Sequence, residues 1–291
     1  TNVNLANTRG DYPIHLATKK SDFDIMLLLQ DKGADLNATD NAGHTALYYA
    51  VQMSETIAAG ILLNNADATK EDYPAVAAAI PNADAMLKML NGANVNVSSA
   101  LPVLAEKNNY VVFEKAVTLW GARLTDNTAF DMAVDKQNVG IAQLCLAHGA
   151  DANKALGYAL KSSQEDMILL CLDNGAQPGP AISYMVQLGD VSKLDNFMTT
   201  QNITPDQILE VAILKDLATA PVINMDIVNL ALDKGGKTTP YFESAVKYDN
   251  SILVGSLLSH GGDPNVSVSY THLRAHETDS YLVCRLLLEK R

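Results

Sequence analysis

The sequence is short of positive charge, of cysteine and of long apolar runs, and each shortage excludes a class of function. Its 291 residues carry 21 Lys and Arg against 33 Asp and Glu, a formal net charge of −12. Because contacts to phosphates need clustered Lys and Arg, this balance excludes nucleic acid and anionic membrane surfaces as partners. No stretch approaches the roughly 18 to 20 apolar residues that a membrane-spanning helix needs. Three cysteines do not make a disulfide framework, which favours a reducing compartment such as the cytoplasm.

The sequence also lacks the motifs that carry common catalytic chemistry. It has no G-K-[ST] phosphate loop, no G-x-S-x-G nucleophile elbow and no Cys and His pair at a plausible site. His272 and His276 are four residues apart and could share a helix face as metal ligands, but Leu273 stands where a zinc-protease motif needs Glu. We therefore predict a protein that is not an enzyme and has no catalytic residue, cofactor or metal site.

What the sequence does contain is an internal repeat. Segments such as "LLLQDKGADLN", "KMLNGANVN" and "LCLAHGADAN" each place an apolar helical run before a turn that contains Gly. Since glycine enters the left-handed backbone region without steric cost, it is the usual residue just after a helix. The predicted turn residues are Gly33, Asn65, Gly92, Gly121, Gly149, Gly175, Gly235 and Gly261, with one degenerate copy turning near Asn202.

Each copy of the repeat is predicted to be a pair of helices. Upstream of the turn, apolar residues recur at helical spacing, as in Ile141, Leu144 and Cys145. Before them comes a shorter segment rich in small residues, such as "ALYYAV" or "AFDMAV". One pair of short helices cannot bury its own apolar face, so the pairs must stack. The repeat predicts an all-α solenoid of about nine stacked helix-turn-helix units, with Cys145 and Cys171 as core thiols.

The first two copies resemble the ankyrin repeat. "NTRGDYPIHLA" followed by "IMLLLQDKGADLN" is similar to that family's D-x-x-G-x-T-P-L-H-x-A with a later L-L-x-x-G-A-D-x-N. The same positions recur 33 residues later, which is the period of the family. The matching residues are Asn7, Gly10, Tyr12, Pro13, Ile14, His15 and Ala17, and then Asp40, Gly43, Thr45, Ala46, Leu47, Tyr48 and Ala50.

The resemblance implies how the connections between copies should differ. In this family a hairpin finger links one copy to the next, and it needs the full repeat length. Later copies are spaced by 26 to 29 residues and lack room for it. We therefore expect long fingers near residues 6–12 and 39–45, and short or absent β-hairpin fingers in later repeats. His15, at the family's Thr-Pro-Leu-His position, is expected to steady its turn through hydrogen bonds to neighbouring backbone.

Both ends of the sequence are unusual. "TNVN" at residues 1–4 matches "ADLN" at 34–37, so we expect the chain to open partway through an earlier copy. The ankyrin-repeat array is predicted to cover residues 1–266, truncated at the N-terminus, with residues 267–291 set apart. Residues 268–291 resemble adapter read-through sequence, whereas "VCRLLLEKR" within them resembles a second ankyrin helix and would make a degenerate tenth repeat.

The resemblance also implies a function. Ankyrin arrays bind other proteins through a concave face built from finger tips and the exposed ends of the first helices. Carried over position by position, the predicted contact residues are Arg9, Asp11, Lys19, Lys20, Asn41, His44, Gln52, Met53, Asp135, Lys136, Lys161, Gln187, Lys247 and Tyr248. We predict a monomeric, non-catalytic module that binds another protein. The alternatives are a targeting or scaffold portion of a larger enzyme or secreted effector, and a structural role with self-association.

Overall fold

The computed structural model describes residues 2–215, 223–247 and 250–263, and every regular element in these ranges is a helix. The α-helices are α1 (Pro13–Lys19), α2 (Phe23–Asp31), α3 (Ala46–Gln52), α4 (Thr56–Leu63), α5 (Tyr73–Ala79), α6 (Ala83–Gly92), α7 (Ala100–Glu106), α8 (Tyr110–Thr118), α9 (Thr128–Asp135), α10 (Val139–Ala147), α11 (Ala152–Lys161), α12 (Glu165–Asp173), α13 (Gly179–Leu188), α14 (Val191–Thr200), α15 (Pro205–Leu209), α16 (Met225–Asp233), α17 (Phe242–Lys247) and α18 (Ser251–Ser259). A π-helix over Glu210–Lys215 continues α15, and a 3₁₀ turn over Thr239–Tyr241 leads into α17. Taken two by two within these ranges, the α-helices form the helix pairs that the repeat predicts.

The chain divides into two compact units, residues 1–176 and residues 177–291. In the first unit, each odd-numbered helix from α1 to α9 contacts the next odd-numbered helix, so the first helices of successive pairs form one row. The even-numbered helices form a second row, in which α2 contacts α4, α4 contacts α6, α8 contacts α10 and α10 contacts α12. In the second unit, α13 contacts α14 and α15, α16 contacts α14, α15 and α18, and α17 contacts α18. Within each unit, helix pairs therefore stack on helix pairs, as an ankyrin-type solenoid requires.

Short apolar faces hold the rows together. Ala46, Leu47, Ala50 and Val51 of α3 are fully buried, and their i, i+1, i+4, i+5 spacing places them on one side of the helix. Four buried residues with the same spacing occur in each of α7, α9 and α13. Alanine at half of the α3 positions lets neighbouring helices approach closely, while the larger side chains fill the space between them.

The two cysteines within the described ranges are core residues, as predicted. Cys145 of α10 and Cys171 of α12 are both buried and unpaired. Burial raises the pKa of each thiol to about 12. Both therefore remain protonated and act as small packing groups rather than nucleophiles.

Connections between pairs shorten along the chain, as the copy spacing predicts. Residues 32–45 join α2 to α3, whereas residues 148–151 are enough to join α10 to α11 and residues 201–204 to join α14 to α15. No strand forms within the described ranges, so the early fingers are turns, each closed by two backbone hydrogen bonds, rather than paired β-hairpins.

The turns that follow the second helices obey the predicted steric rule at most copies. A positive φ, the left-handed conformation, occurs at Gly33, Gly121, Gly149, Gly175, Gly235 and Gly261. Asn202 has a φ of 52°, which confirms the degenerate copy that the sequence predicted there. Asparagine is one of the few residues besides glycine that visit this region routinely.

The prediction of a left-handed turn residue is wrong at Gly92 and at Asn65. Gly92 is the last residue of α6, and Asn94 takes the left-handed position with a φ of 61°. Val95 N–H donates to the carbonyl of the residue five positions earlier, and the equivalent N–H in the turn after α2 does the same. The turn after α6 therefore lies two residues later than predicted. Asn65 is not left-handed, because Ala66 N–H bonds to the carbonyl only four positions back and the turn is tighter.

Gly33→Ala and Gly92→Ala are expected to change stability in opposite directions. A Cβ at either position meets nothing within 4 Å, so only the backbone conformation differs between them. Gly33 has a φ of +78°, and alanine there should lower the free energy of unfolding by about 1–2 kcal/mol. Gly92 is helical, and alanine there should raise it by about 0.5–1 kcal/mol. Urea unfolding measures both changes, and a loss at position 92 would contradict the displaced turn.

A second set of left-handed residues, not foreseen from the sequence, lies between the two helices of a pair. Ser21, Ser54, Asn108, Gln137 and Ser163 have φ values between 53° and 62°. Each directly precedes the N-cap of a second helix, and several of those caps, such as Asp22, accept a hydrogen bond from the first turn. These turns could have been found in the sequence from the doublets Ser-Asp, Asn-Asn and Gln-Asn. In each doublet the first polar residue tolerates the left-handed turn and the second caps the helix.

Candidate functional site

The connections before α1 and α3 form two fingers of the same design, finger 1 (residues 7–11) and finger 2 (residues 40–44). In each finger, the N–H of the first residue donates to the carbonyl of the last at 3.0 Å. The side-chain oxygen of that first residue, Asn7 or Asp40, also accepts from the N–H groups two and four positions later. Each tip is thus fixed by a polar side chain that satisfies its own backbone donors.

Finger 1 lies directly against finger 2. A Cβ built on Gly10 would lie 2.6 Å from the backbone nitrogen of Asn41, closer than any side chain permits. Gly10 also has a φ of +80°. The position therefore requires glycine both for its conformation and for the close approach of the next finger.

A charged cluster joins the first two copies: Asp11 and Lys19 come from the first copy, and Asp40 and Tyr49 from the second. Lys19 Nζ lies 2.6 Å from Asp11 Oδ1, 3.5 Å from Asp40 Oδ2 and 3.7 Å from the centre of the Tyr49 ring. The Tyr49 hydroxyl donates to Asp40 Oδ2 at 2.5 Å. The Asp11 and Asp40 side chains are only 8% and 6% exposed, so one ammonium group is shared by two nearly buried negative charges. We call these four residues the Lys19 cluster.

Both carboxylates of the Lys19 cluster stay ionised. The hydrogen bond from Lys19 holds the pKa of Asp11 below its ordinary value. Burial by itself would raise the pKa of Asp40, but the Tyr49 hydroxyl and the N–H groups of His44 and Ala42 outweigh burial and lower this pKa to about 2.

Acid unfolding should detect the Asp40 carboxylate. Its pKa in the folded protein is about 2, against an ordinary value of 3.8. A carboxylate whose pKa is lower in the folded than in the unfolded protein stabilises the fold at pH values above its unfolded pKa. This contribution, about 2 kcal/mol, is lost as the pH falls from about 4 through about 2. Urea unfolding across this pH window measures the loss. In Asp40→Asn this part of the pH dependence should be missing, and an unchanged profile would contradict the assignment.

His15 links the first copy to finger 2 through a neutral ring. Tyr12 N–H donates to His15 Nδ1 at 3.2 Å, so the ring proton lies on Nε2, which donates to the His44 carbonyl at 3.1 Å. Burial lowers the pKa of His15 and keeps the ring uncharged. The predicted role of His15, to steady a turn through neighbouring backbone, is confirmed.

His44 belongs to finger 2, and its side chain is engaged inside the protein. Its Nδ1 lies 2.8 Å from Glu71 Oε2, and its ring stacks on Tyr48 with ring centres 3.6 Å apart. The other oxygen of Glu71 accepts from the N–H and the hydroxyl of Thr45, both at 2.8 Å. The His44 side chain remains 34% exposed, so part of a firmly held ring is presented to solvent.

A surface depression of about 520 Å³ adjoins the Lys19 cluster. Its lining residues are Arg9, Asp11, Leu16, Lys19, Asp40, Asn41 and Ala42. The Arg9 side chain is 83% exposed, and Leu16 adds an exposed apolar side chain. Both carboxylates of the lining pair with Lys19, and Arg9 Nε lies 4.0 Å from Asp11 Oδ2. The depression therefore offers a guanidinium, an apolar group and the polar backbone of two finger tips, a combination suited to contact rather than to covalent chemistry.

The structure places most of the predicted contact residues at the surface. The exposed ones are Arg9, Lys20, Asn41, Gln52, Met53, Asp135, Lys136, Lys161 and Gln187, while Lys19 and His44 are half-buried. Asp11 differs from the prediction, because its carboxylate is buried and paired with Lys19. The side chain of Lys247 and the whole of Tyr248 lie outside the described residues.

Within the described ranges, no group of three or more His, Cys, Asp or Glu residues is arranged to hold a metal ion. No helix in that part of the chain has the length and apolar character to cross a membrane. His272 and His276, together with the whole of residues 267–291, lie outside the described residues.

One family model and two solved structures are similar to parts of this chain. The family described as Ankyrin repeats (3 copies) matches residues 1–72, the segment that holds both fingers and the Lys19 cluster. The human ASB11 ankyrin repeat domain is 21% identical with a TM-score of 0.49, over 61% of this chain and 89% of that one. An ankyrin repeat domain from Acinetobacter baumannii AYE is also 21% identical with a TM-score of 0.48, over 57% of this chain and 99% of that one. No match was found among curated proteins.

Ankyrin repeats are in general modules of protein-protein interaction, and their fold is typically non-catalytic. The two fingers, the stacked helix pairs and the family match coincide in one segment. Residues 1–72 of this chain are therefore ankyrin repeats.

Proposed function

We propose that this chain is a non-catalytic protein-binding module whose contact surface comprises the two fingers and the C-terminal ends of the first helices. One observation carries the proposal: exposed side chains recur at the same structural place along a row of touching helices. Lys20, Met53 and Lys136 are the C-cap residues of α1, α3 and α9, and all three are exposed. Lys161, also exposed, is the last residue of α11, one place before the C-cap Ser162.

The fingers add a pre-organised edge to this row. Arg9 and Asn41 are exposed on tips that are already fixed by side-chain hydrogen bonds and by the contact between the fingers. A surface that is rigid before binding loses less conformational entropy when a partner docks. Arginine and methionine are also enriched in protein interfaces, which favours Arg9 and Met53 as the main contacts.

The charge of the surface favours a protein partner over a polyanion. The row mixes lysines with uncharged and acidic side chains. Met53 is the C-cap of α3, and Glu106 and Asp135 directly precede the C-cap lysines Lys107 and Lys136 of α7 and α9. Such a mixed row does not supply the clustered cations that phosphate contacts need. Together with a net charge of −12, this supports the proposal that the partner is neither nucleic acid nor a membrane surface.

Affinity capture from a lysate of the source organism tests the surface. The variant Arg9→Glu/Met53→Asp should reduce recovery of specific partners by about tenfold or more, which corresponds to about 1.4 kcal/mol or more. Ile57→Asp is the matched control, because Ile57 is also an exposed apolar residue but lies on α4, in the row of second helices. Partners retained by the double variant, or lost equally with Ile57→Asp, would contradict the proposed surface.

A further inference from the structure

Two polar links with the same spacing join α18 to α16 within the second unit. The Ser256 hydroxyl donates to Asn229 Oδ1 at 2.5 Å, and His260 Nε2 lies 3.0 Å from Asp233 Oδ1. Ser256 and His260 are four residues apart, as are Asn229 and Asp233, so each pair lies on one side of its helix. His260 is the C-cap of α18, and Asp233 is the last residue of α16. The second link therefore joins the C-terminal ends of the two helices.

Each of the two ring nitrogens of His260 faces a hydrogen-bond acceptor. Nε2 faces the Asp233 carboxylate, and Nδ1 lies 2.8 Å from the carbonyl oxygen of Ser256. The Ser259 hydroxyl is 3.3 Å from Nδ1 but donates to that same carbonyl at 2.8 Å, so it does not donate to the ring. A neutral imidazole has one N–H and can serve only one of the two acceptors. Both bonds form together only when the ring is an imidazolium cation.

The surroundings of His260 favour this cation. The hydrogen bond to the Ser256 carbonyl, followed by the one to Asp233, raises the pKa of His260 above its ordinary value of 6.5 and outweighs the opposing effect of burial. As the C-cap, the ring also lies at the negative end of the dipole of α18, where a cation is stabilised.

Other charged residues lie on the elements that pack against α18. On α16, Asp226 is in the first turn, at the end opposite Asp233, and the C-cap Lys234 pairs with Asp195 of α14. The sequence of α17, which also contacts α18, contains Glu243 and Lys247, and Asp263 follows His260 by three residues. Among the described groups, Asp233 is the carboxylate that raises the pKa of His260.

An equivalent histidine elsewhere in the chain shows that the link belongs to this junction rather than to the repeat. His148 is the C-cap of α10 and directly precedes a turn glycine, as His260 does in α18. The preceding second helix, α8, ends at Thr118 and has Leu119 as its C-cap. The end of α8 therefore offers no carboxylate at the place that Asp233 holds on α16.

We propose that His260 and Asp233 form a pH-sensitive clasp that holds α18 on α16 while the ring is protonated and loosens as the pH rises. Loss of one proton leaves a lone pair facing either the Ser256 carbonyl or Asp233, so one of the two bonds is lost. A pKa that is higher in the folded protein stabilises the fold fully below the unfolded value of 6.5, and the contribution disappears as the pH rises through the folded value. The clasp shares no residue with the finger surface, so the two proposals stand or fall independently.

An NMR titration of the histidine rings in the whole chain measures the pKa of His260. It should lie above 6.5, and Asp233→Asn should lower it. Glu243→Gln and Asp263→Asn are the charge controls and should leave it in place. A pKa of His260 at or below 6.5, or one that either control lowers as much as Asp233→Asn does, would overturn the proposal.

Amide hydrogen exchange, corrected for its intrinsic dependence on pH, measures the attachment of α18. Exchange in α18 should become about two- to fivefold faster when the pH rises from below 6.5 to above the measured pKa of His260. The effect is modest because the Asp233 side chain is 70% exposed and solvent screens the pair.

His260→Gln should remove this response to pH, and His148→Gln is the matched control that should keep it. Asp233→Asn should make the exchange of α18 faster below pH 6.5 as well. Protection of α18 that does not change with pH in the unmodified chain, or that changes equally in His260→Gln, would contradict the clasp.

Discussion

Lys19→Met is expected to lower the free energy of unfolding by about 3 kcal/mol. Methionine retains much of the length of the lysine side chain and its packing on Tyr49, but it lacks the ammonium group. That group lies 2.6 Å from Asp11 and 3.5 Å from Asp40, whose side chains are nearly buried. Without it, two like charges remain in a poorly solvated site, and the only cation left beside them in the described structure is the exposed Arg9, whose Nε lies 4.0 Å from Asp11 Oδ2. This poorly compensated burial sets the size of the loss.

Urea unfolding near neutral pH measures the change, and Lys20→Met is the matched control. Lys20 is the next residue and is exposed, so its substitution should change stability by no more than about 0.5 kcal/mol. Asp11→Asn added to Lys19→Met should recover part of the loss, because one of the two uncompensated charges is removed. Equal effects of Lys19→Met and Lys20→Met would show that the Lys19 cluster does not stabilise the junction.

Gly10→Ala is expected to cost about 1–3 kcal/mol more than Gly43→Ala. The two glycines hold equivalent places in finger 1 and finger 2, with φ values of +80° and +82°. They therefore share a conformational cost of about 1–2 kcal/mol for a left-handed alanine. Only at Gly10 does the new Cβ also meet backbone, 2.6 Å from the nitrogen of Asn41, whereas the space around Gly43 is open. The difference between the variants measures the contact between the fingers.

Thermal and urea unfolding of both variants give that difference directly. Hydrogen exchange adds a local measurement, because Gly10→Ala should speed exchange in finger 2 as well as in finger 1, while Gly43→Ala should act mainly on its own finger. Equal losses in the two variants would mean that finger 1 and finger 2 can separate at no cost.

Local sterics made much of the fold predictable. A left-handed residue after a helix must be glycine or, less often, asparagine, so the turns after α2, α10 and α14 could be assigned from single residues. The segment "NGAN" contains two residues that could take the left-handed position, Gly92 and Asn94, and the packing of the next apolar side chain decides between them. Val97, at 1% exposure, fills the place that Leu36 fills in the first copy, and this requires the turn at Asn94 rather than at Gly92.

The sequence by itself determined the helix pairs, the two early fingers and the glycine at their tips, because these depend on the conformations that neighbouring residues allow. It did not reveal that Asp11 is buried, that Lys19 serves two carboxylates, or that Glu71 holds His44. Lys19 and Asp40 are 21 residues apart along the chain, and His44 and Glu71 are 27 apart. In the sequence alone, each of these four residues looks like an ordinary surface residue, because its partner comes close only when one copy stacks on the next. Only the tertiary structure decides such pairs, because the energy of a charge depends on its distance in space to a partner and on how much water remains around it.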